Sequence, residues 1–281
     1  MNTFIQAENL SYAVNGRKLI DAVSIGFDPG EFVAIIGPNG AGKSTLLRLL
    51  SGELRPSAGR VAWSGEPAEK LSPARLALRR AVMAQGAALA FSYPVHEVAR
   101  QGLAVVGRRL PKIQADKIVT RALAVSGVQH LSYRNFLTLS GGEQQRARFA
   151  RALCQLKAAQ EHGRFCQALL LDEPTSSLDL EHQLALLGAA RAIVGSGVTV
   201  IAIVHDLNIA ARFADRLVVL AGGRVVADGP AAQVIDEALV REIFRATMRV
   251  DRESATGLPI VLPQTNINRC DVHAQAFLAR F

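Results

Sequence analysis

Cysteine is scarce in this sequence, with three residues in 281, at positions 154, 166 and 270. They are too far apart for the paired spacing of a metal site, and an odd number argues against a disulfide framework. Long apolar runs are also missing, and no basic segment followed by an apolar one begins the chain. We therefore expect a cytosolic protein with idle thiols and neither a membrane span nor a signal peptide.

Aromatic residues are few, at 5% of the chain, while the net charge is +8. Such a charge fits nucleic acid, an anionic membrane surface or a nucleotide ligand, and does not choose among them. Arginines are clustered in 75–80, 100–109 and 146–151, and Phe149 is the one aromatic residue inside these clusters, whereas stacking platforms would need several. We therefore expect solvated helix faces and no nucleic acid partner. The length suits one large domain with an inserted subdomain.

A glycine-rich stretch, Gly-Pro-Asn-Gly-Ala-Gly-Lys-Ser-Thr at 37–45, directly follows the apolar run 32–36 and fits the phosphate-binding loop pattern in full. The pattern predicts a buried strand, a loop whose N–H groups surround polyphosphate, and a helix. Lys43 is expected to reach the β- and γ-phosphates and Ser44 to bind Mg²⁺. The predicted nucleotide-binding residues here are Gly37, Pro38, Asn39, Gly40, Ala41, Gly42, Lys43, Ser44 and Thr45.

Two further residues are candidates for this site. The segments 4–14 and 18–27 alternate as strands of an antiparallel layer, joined by a turn at Asn15-Gly16. Tyr12 on this layer is predicted to stack on the nucleotide base, although a half-buried strand residue is the plainer interpretation. In the stretch 82–86 a strand is predicted to end at Gln85, whose amide oxygen would touch Mg²⁺ or the attacking water. Without the other motifs, Gln85 would be interpreted only as a surface amide.

Residues 87–136 show helical patterns at 95–107 and 112–127, and end at Leu-Ser-Gly-Gly-Glu-Gln-Gln, 139–145. Ser140 and Glu143 form a capping box that opens a helix with free N–H groups. Capping does not explain Gly141 and Gly142, which weaken a first turn unless the backbone must approach a ligand closely. A second anion site is therefore predicted.

Carboxylates follow the short apolar strand 168–171, as Asp172-Glu173-Pro174. The carboxyl ends of central parallel strands are where open α/β sheets bind ligands. Asp172 is expected to complete the Mg²⁺ shell, and Glu173 to polarise the water that attacks the γ-phosphate. His205 ends the next buried strand, 199–204, and is predicted to hydrogen-bond the γ-phosphate.

The last part of the chain carries weaker signals. Residues 216–228 are predicted to form a hairpin around Gly222-Gly223, residues 231–246 a helix, and residues 258–263 an edge strand between prolines. Beyond Gln264 we expect weak order or a packed terminal helix, and no function is assigned.

Together these motifs resemble the ATP-binding cassette ATPases, over residues 4 to about 246. The residues that carry the resemblance are the loop 37–44, Gln85, the stretch 139–145, Leu-Leu-Leu-Asp-Glu-Pro at 169–174, Ser-Leu-Asp at 177–179, and His205. The resemblance implies an α/β P-loop NTPase fold with a mixed central sheet, an N-terminal antiparallel β layer and an inserted helical subdomain. It implies a cassette over 1–246, an insertion over 86–139 and an extension over 247–281, with ATP and Mg²⁺ as cofactors. Ala84 departs from the proline that relatives often carry, which puts rate and coupling in doubt.

For this family the resemblance also implies a head-to-tail homodimer. Each ATP would lie between the phosphate loop of one subunit and Ser140, Gly141, Gly142 and Glu143 of the other, with Asp179 communicating across the interface. A single cassette without a membrane span resembles the separate ATPase subunit of a bacterial importer. It would bind two transmembrane permease subunits through a groove near Gln85 and residues 87–100, serve a periplasmic substrate-binding protein indirectly, and lie on the cytoplasmic face of the inner membrane.

Local texture in 89–98, 154–167 and 178–183 is similar to the haem-importing ATPases of this family. Ferric-siderophore and cobalamin importers are close cousins and stay open as alternatives. A non-transport ATPase acting on nucleic acid is the less favoured one.

Overall fold

The computed structural model describes residues 3–84, 92–108, 110–161, 163 and 167–264. The strands are β1 (Ile5–Val14), β2 (Arg17–Phe27), β3 (Phe32–Ile36), β4 (Ala58–Trp63), β5 (Glu66–Pro67), β6 (Arg80–Met83), β7 (Gln167–Leu171), β8 (Val198–Ile203), β9 (Arg216–Ala221), β10 (Arg224–Gly229), β11 (Met248–Arg252) and β12 (Pro259–Pro263). The helices are α1 (Lys43–Leu50), α2 (Pro73–Ala77), α3 (Val95–Arg100), α4 (Lys112–Val125), α5 (Gly141–Gln160), α6 (Leu180–Val194), α7 (Leu207–Phe213), α8 (Ala231–Val234) and α9 (Glu237–Phe244).

The central sheet has six strands in the order β10-β9-β3-β8-β7-β6. Neighbours from β9 to β6 pair in parallel, and β10 runs antiparallel to β9, so the sheet is mixed as predicted. Every residue of β3, β7 and β8 is buried, and apart from Gln167 and Thr199 all of them are apolar, because both faces of the sheet are covered. The carboxyl ends of these strands therefore meet at one edge.

An antiparallel layer in the order β2-β1-β4-β5 lies against one face of this sheet, which confirms the predicted N-terminal layer. Strand β3 shows how the two faces differ. Its Val33 and Ile35 join the apolar cluster of this layer and α1, while Phe32, Ala34 and Ile36 join the larger cluster that includes residues of α3 to α7. The alternation of a strand thus divides the core in two.

Between residues 92 and 139 the described part of the chain contains α3, α4 and short 3₁₀ turns, with no strand apart from an isolated bridge. The helical character predicted for this range is confirmed. The segment 95–107 is not one helix, however: α3 gives way to a 3₁₀ turn at Gln101–Leu103, where Gly102 lowers helix propensity. The proposed division into domains stays a prediction.

The predicted hairpin at 216–228 is confirmed as β9 and β10, but the helix predicted over 231–246 is wrong in its continuity. Asp236 divides it, because its side chain accepts a hydrogen bond from the N–H of Leu239 at 2.7 Å and starts α9 anew. The predicted strand at 258–263 is confirmed as β12, which pairs with β11. Among the described helices, none is long and apolar enough to cross a membrane.

Candidate active site

The loop between β3 and α1 takes the predicted position at the carboxyl edge of the sheet. Gly42 starts α1 in the left-handed region, with φ of 99°, and a Cβ atom there would lie 2.4 Å from the carbonyl oxygen of Leu19 on β2. Only glycine fits that position. Asn39 and Gly40 are exposed at the tip of the loop, whereas Gly37 and Ala41 are buried. The strand, loop and helix therefore follow in the order that phosphate binding needs.

Lys43 is the first residue of α1 and is 6% exposed. Its Nζ donates to the carbonyl oxygens of Gly37 at 2.8 Å and Pro38 at 2.9 Å. Burial lowers the pKa of Lys43, and the carboxylates of Glu173 and Asp172 oppose that shift. The ammonium is thus held at the loop by two carbonyl groups, and the two nearby carboxylates favour its charged form.

Ser44 and Asp172 meet as predicted. The Ser44 hydroxyl donates to Oδ1 of Asp172 at 2.9 Å, and Asp172 is 5% exposed at the end of β7. A hydroxyl and a buried carboxylate in contact are oxygen donors of the kind that Mg²⁺ prefers, so this pair fits that ion. Gln85 lies outside the described residues. Strand β6 ends two residues before it at Met83, whose carbonyl oxygen accepts the N–H of Asp172 at 2.9 Å.

The side chains of Glu173 and His205 are in contact, with His205 Nε2 2.7 Å from Oε1 of Glu173. His205 stands just beyond β8, and its side chain is 45% exposed; that of Glu173 is 18% exposed. Glu173 also adopts a positive φ of 49°, which non-glycine residues rarely do and which is often found at functional sites. The structure therefore brings together the two residues that sequence analysis placed beside the γ-phosphate.

Gln145 contributes to this site and was missed by sequence analysis. It is buried in the second turn of α5, and its Nε2 donates to the carbonyl oxygen of Glu173 at 2.9 Å. The same carbonyl accepts the N–H of Ser176 at 3.2 Å and its hydroxyl at 3.0 Å. Gln145 lies on the same face of α5 as the buried residues Phe149 and Ala152. A polar residue on that face could have been recognised in the sequence, because a buried amide needs a hydrogen-bond partner.

The capping box predicted at the start of α5 is confirmed. The Ser140 N–H donates to Oε2 of Glu143 at 2.7 Å, and the Ser140 hydroxyl accepts the Glu143 N–H at 3.3 Å. The backbone hydrogen bond from Ser140 lowers the pKa of Glu143. The need for glycine at position 142 is explained by a contact within the chain, because a Cβ atom there would lie 2.8 Å from the carbonyl oxygen of Ser177. Ser140 and Gly141 remain exposed.

Asp179 lies beside these residues. A cavity of about 350 Å³ is lined by Ser140 to Glu143 and by Ser177 to Asp179, and residues 37–45 do not line it. Asp179 caps α6, since its Oδ1 accepts the His182 N–H at 2.9 Å and lies 2.6 Å from His182 Nδ1. These contacts lower the pKa of Asp179. The second predicted anion site and Asp179 thus share one surface, apart from the phosphate loop of the same chain.

Tyr12 is half-buried on β1, opposite Ile20 of β2, and packs against the apolar cluster of the antiparallel layer. Leu19, next to Ile20, is the residue whose carbonyl approaches Gly42. Tyr12 therefore lies one strand away from the phosphate loop, and its role as a base platform stays a prediction.

Comparison with known proteins agrees with this geometry. A family described as "ABC transporter" matches residues 20–176. The hemin import ATP-binding protein HmuV of Bradyrhizobium diazoefficiens is 50% identical over 266 residues, covering 94% of this chain and 96% of that protein. HmuV of Rhodopseudomonas palustris strain CGA009 is 46% identical over 275 residues, covering 98% and 100%. A dimeric ATP-binding cassette in a post-hydrolysis state, solved with ADP and phosphate, has a TM-score of 0.70 at 23% identity, covering 80% of this chain and 98% of that one, and supports the fold.

Proposed function

The chain belongs to the ABC transporter family, and we propose that it is the ATP-hydrolysing subunit of an importer that carries haem across the bacterial inner membrane. The substrate class rests on the similarity to proteins named for hemin import, which extends over nearly the whole chain. The observation that carries the ATPase is the set of five side chains at one sheet edge: Lys43, the Ser44–Asp172 pair, and Glu173 with His205.

In this proposal the loop 37–45 surrounds the triphosphate of ATP, and Lys43 moves from two loop carbonyls to the phosphate oxygens. Ser44 and Asp172, joined at 2.9 Å, would hold Mg²⁺ together with Gln85. When bound, Mg²⁺ neutralises charge that develops on the phosphate oxygens. Tyr12 would stack on adenine from the neighbouring layer.

Glu173 is the proposed general base. Its carboxylate polarises the water that attacks the γ-phosphate, and His205, 2.7 Å away, orients that carboxylate and donates to the γ-phosphate. We expect Glu173→Gln to bind ATP but to hydrolyse it about a hundredfold more slowly, as when one transition-state stabiliser is lost. Near-normal turnover in that variant would exclude Glu173 as the base.

Two copies are proposed to pair head to tail, so that Ser140, Gly141 and Gly142 of one copy face the ATP of the other. The cavity around these residues is not lined by residues 37–45 of the same chain, which supports that arrangement. Ser140→Arg should leave ATP binding by the monomer intact and stop ATP-dependent pairing, as measured by gel filtration. Pairing that persists with ATP would exclude the shared site.

Two transmembrane permease subunits are the proposed partners, with the chain on the cytoplasmic face of the membrane and a periplasmic binding protein engaged indirectly. The candidate docking surface is a cavity of about 720 Å³ between α3 and α4, lined by His96, Glu97, Arg100, Asp116 and Tyr133. Tyr133 is 89% exposed there and its ring lies 5.2 Å from that of His96. Residues 85–91, the rest of the groove expected from the sequence, lie outside the described residues.

The test is reconstitution of the chain with its permease in liposomes, followed by ATP-dependent uptake of haem, a ferric siderophore or cobalamin. Haem uptake that Glu173→Gln abolishes is the expected result. Uptake of the siderophore or of cobalamin would show that haem is not the substrate, while the proposed ATPase mechanism would stand. ATP hydrolysis without uptake of any of the three would overturn the transport function.

A further inference from the structure

An apolar groove lies on the side of α6 and α7 away from the central sheet, against the β11–β12 hairpin. It encloses about 240 Å³ and is lined mainly by Leu184, Ile209, Phe213, Leu258 and Ile260, here called the hairpin groove. Leu184 is 43% exposed and Ile260 36% exposed. At its rim Arg212 pairs with Glu253 at 3.1 Å. The groove thus has an apolar floor and a charged edge.

The hairpin is firmly attached to α7, so the groove has fixed walls. Asn208 uses both ends of its amide: Oδ1 accepts the N–H of Val261 at 2.7 Å and Nδ2 donates to the Val261 carbonyl at 3.1 Å. Val261 is buried beneath, while its neighbours Ile260 and Leu262 face outward at 36% and 37% exposure. An outward face of a two-stranded hairpin is ordinarily polar, so two apolar residues there favour a covering segment.

The segment that follows this hairpin directly, residues 265–281, has the composition to cover it. It holds three charged residues in seventeen, and its last part places Ala274, Phe277, Leu278 and Phe281 at the i, i+3, i+4 and i+7 spacing of one helix face. The ten residues from Gln264 to Ala274 can span up to about 33 Å. Ile260 lies only about 13 Å back along β12, so the segment reaches the groove easily.

We propose that residues 265–281 fold back and place Phe277, Leu278 and Phe281 in the hairpin groove, as an apolar helix face fills a complementary groove. The proposal does not depend on the transported substrate or on the ATPase roles given above. It assigns a position to the segment beyond Gln264, to which the sequence analysis assigned no function.

The position matters because the groove joins two helices that begin at the site. Helix α6 starts immediately after Asp179, and Leu184 is five residues further on. Helix α7 starts two residues after His205, and Ile209 lies in its first turn. A segment packed against both helices would therefore restrain the first turns that follow Asp179 and His205.

The test places the photo-crosslinking residue p-benzoylphenylalanine at Phe277 of the full chain. Irradiation of mixed ¹⁴N- and ¹⁵N-labelled protein, followed by mass spectrometry, locates the crosslink and separates contacts within a chain from contacts between chains. We expect crosslinks within one chain to Leu184, Ile209, Phe213 or Leu258. The same probe at the exposed Tyr133 should give none of these products.

Two outcomes would overturn the proposal: crosslinks within the chain that fall elsewhere, or crosslinks only between ¹⁴N and ¹⁵N chains, which would make a second copy the occupant. A double-mutant comparison gives an independent measurement. Leu184→Asp and Phe277→Asp should each lower Tm by about 2–4 °C, and the double variant by little more than either. Ile113→Asp, at an apolar site 71% exposed in the first turn of α4, is the matched control and should not lower Tm. Additive Tm losses for the pair would contradict the contact.

Discussion

The sharpest test of the site is Gln145→Leu, because this buried amide holds the backbone of Glu173. The Gln145 side chain donates to the Glu173 carbonyl at 2.9 Å, and Glu173 stands at φ of 49°. A positive φ at a non-glycine residue costs about 1–3 kcal/mol, and a hydrogen bond of this kind contributes about 0.5–1.5 kcal/mol. The bond therefore offsets much of the cost, and the two contacts from Ser176 must carry the rest once it is lost.

Leucine keeps nearly the volume of glutamine. It also removes the longer contact, at 3.5 Å, in which Arg148 Nη1 donates to Gln145 Oε1, so the substitution acts mainly through the lost bond at 2.9 Å. If Glu173 relaxes for a large share of the time, its carboxylate leaves His205, and a barrier that is higher by about 1.4 kcal/mol slows turnover about tenfold. We expect kcat for ATP hydrolysis to fall by about that factor, with the affinity for ATP little changed because Lys43 and the loop 37–42 are untouched. Steady-state ATPase measurements give both quantities.

Gln155→Leu is the matched control on the same helix. Gln155 Nε2 donates to the carbonyl oxygens of Ala77 at 3.1 Å and Arg80 at 2.8 Å, so the change removes the same kind of bond without touching Glu173. We expect a comparable fall in Tm and an unchanged kcat. Equal kcat values for the two variants, each folded by circular dichroism, would refute the argument that Gln145 positions the base.

Three further predictions concern separate parts of the chain. Ser44→Ala should raise the Mg²⁺ concentration needed for half-maximal ATP hydrolysis about tenfold or more, because Asp172 loses the hydroxyl 2.9 Å away that completes the donor pair; an unchanged Mg²⁺ titration would remove Ser44 from the ion. Gly142→Ala should lower Tm by about 2–8 °C and weaken ATP-dependent pairing, because the new Cβ would lie 2.8 Å from the Ser177 carbonyl oxygen. Unchanged Tm and pairing would show that the backbone at this turn shifts without cost. Burial raises the pKa of Cys154 to about 12, so its thiol should resist iodoacetamide at pH 8 in the folded chain and react on unfolding. The free energy of unfolding should fall as the pH rises from about 9 to about 12, because the thiol ionises first in the unfolded chain. Alkylation of folded Cys154 at pH 8 would contradict its burial.

Much of the site could be predicted because strand ends and motif spacing are local features. Asp172 and His205 each follow an apolar strand, and parallel strands bring their carboxyl ends to one edge, so the meeting of Glu173 with His205 followed from topology. The capping box of Ser140 and Glu143 is read from residues three apart, which is why it was predicted correctly.

What could not be predicted depends on contacts between distant parts of the chain. The bond from Gln145 to Glu173 joins residues 28 apart, and nothing local indicates which carbonyl a buried amide will meet. Gly142 was interpreted as a close approach to a ligand, whereas the backbone of Ser177 in the same chain already excludes a side chain there. Strand β11 escaped notice because five residues of alternation are too short a signal until β12 pairs with them.

Helix α5 connects the surface around Ser140 to the backbone of Glu173. Its N-terminus presents Ser140 and Gly141 to solvent, and five residues later, about 7.5 Å along the axis, Gln145 holds the carbonyl of Glu173. A rigid helix that moves at its first turn also moves Gln145, and the bond at 2.9 Å then lengthens or realigns. Because Glu173 keeps its left-handed conformation only with outside support, a displacement of α5 changes the position of the base. Engagement of Ser140 and Gly141 by a second copy, as proposed above, would therefore have a direct physical route to the Glu173–His205 pair, through the buried amide of Gln145.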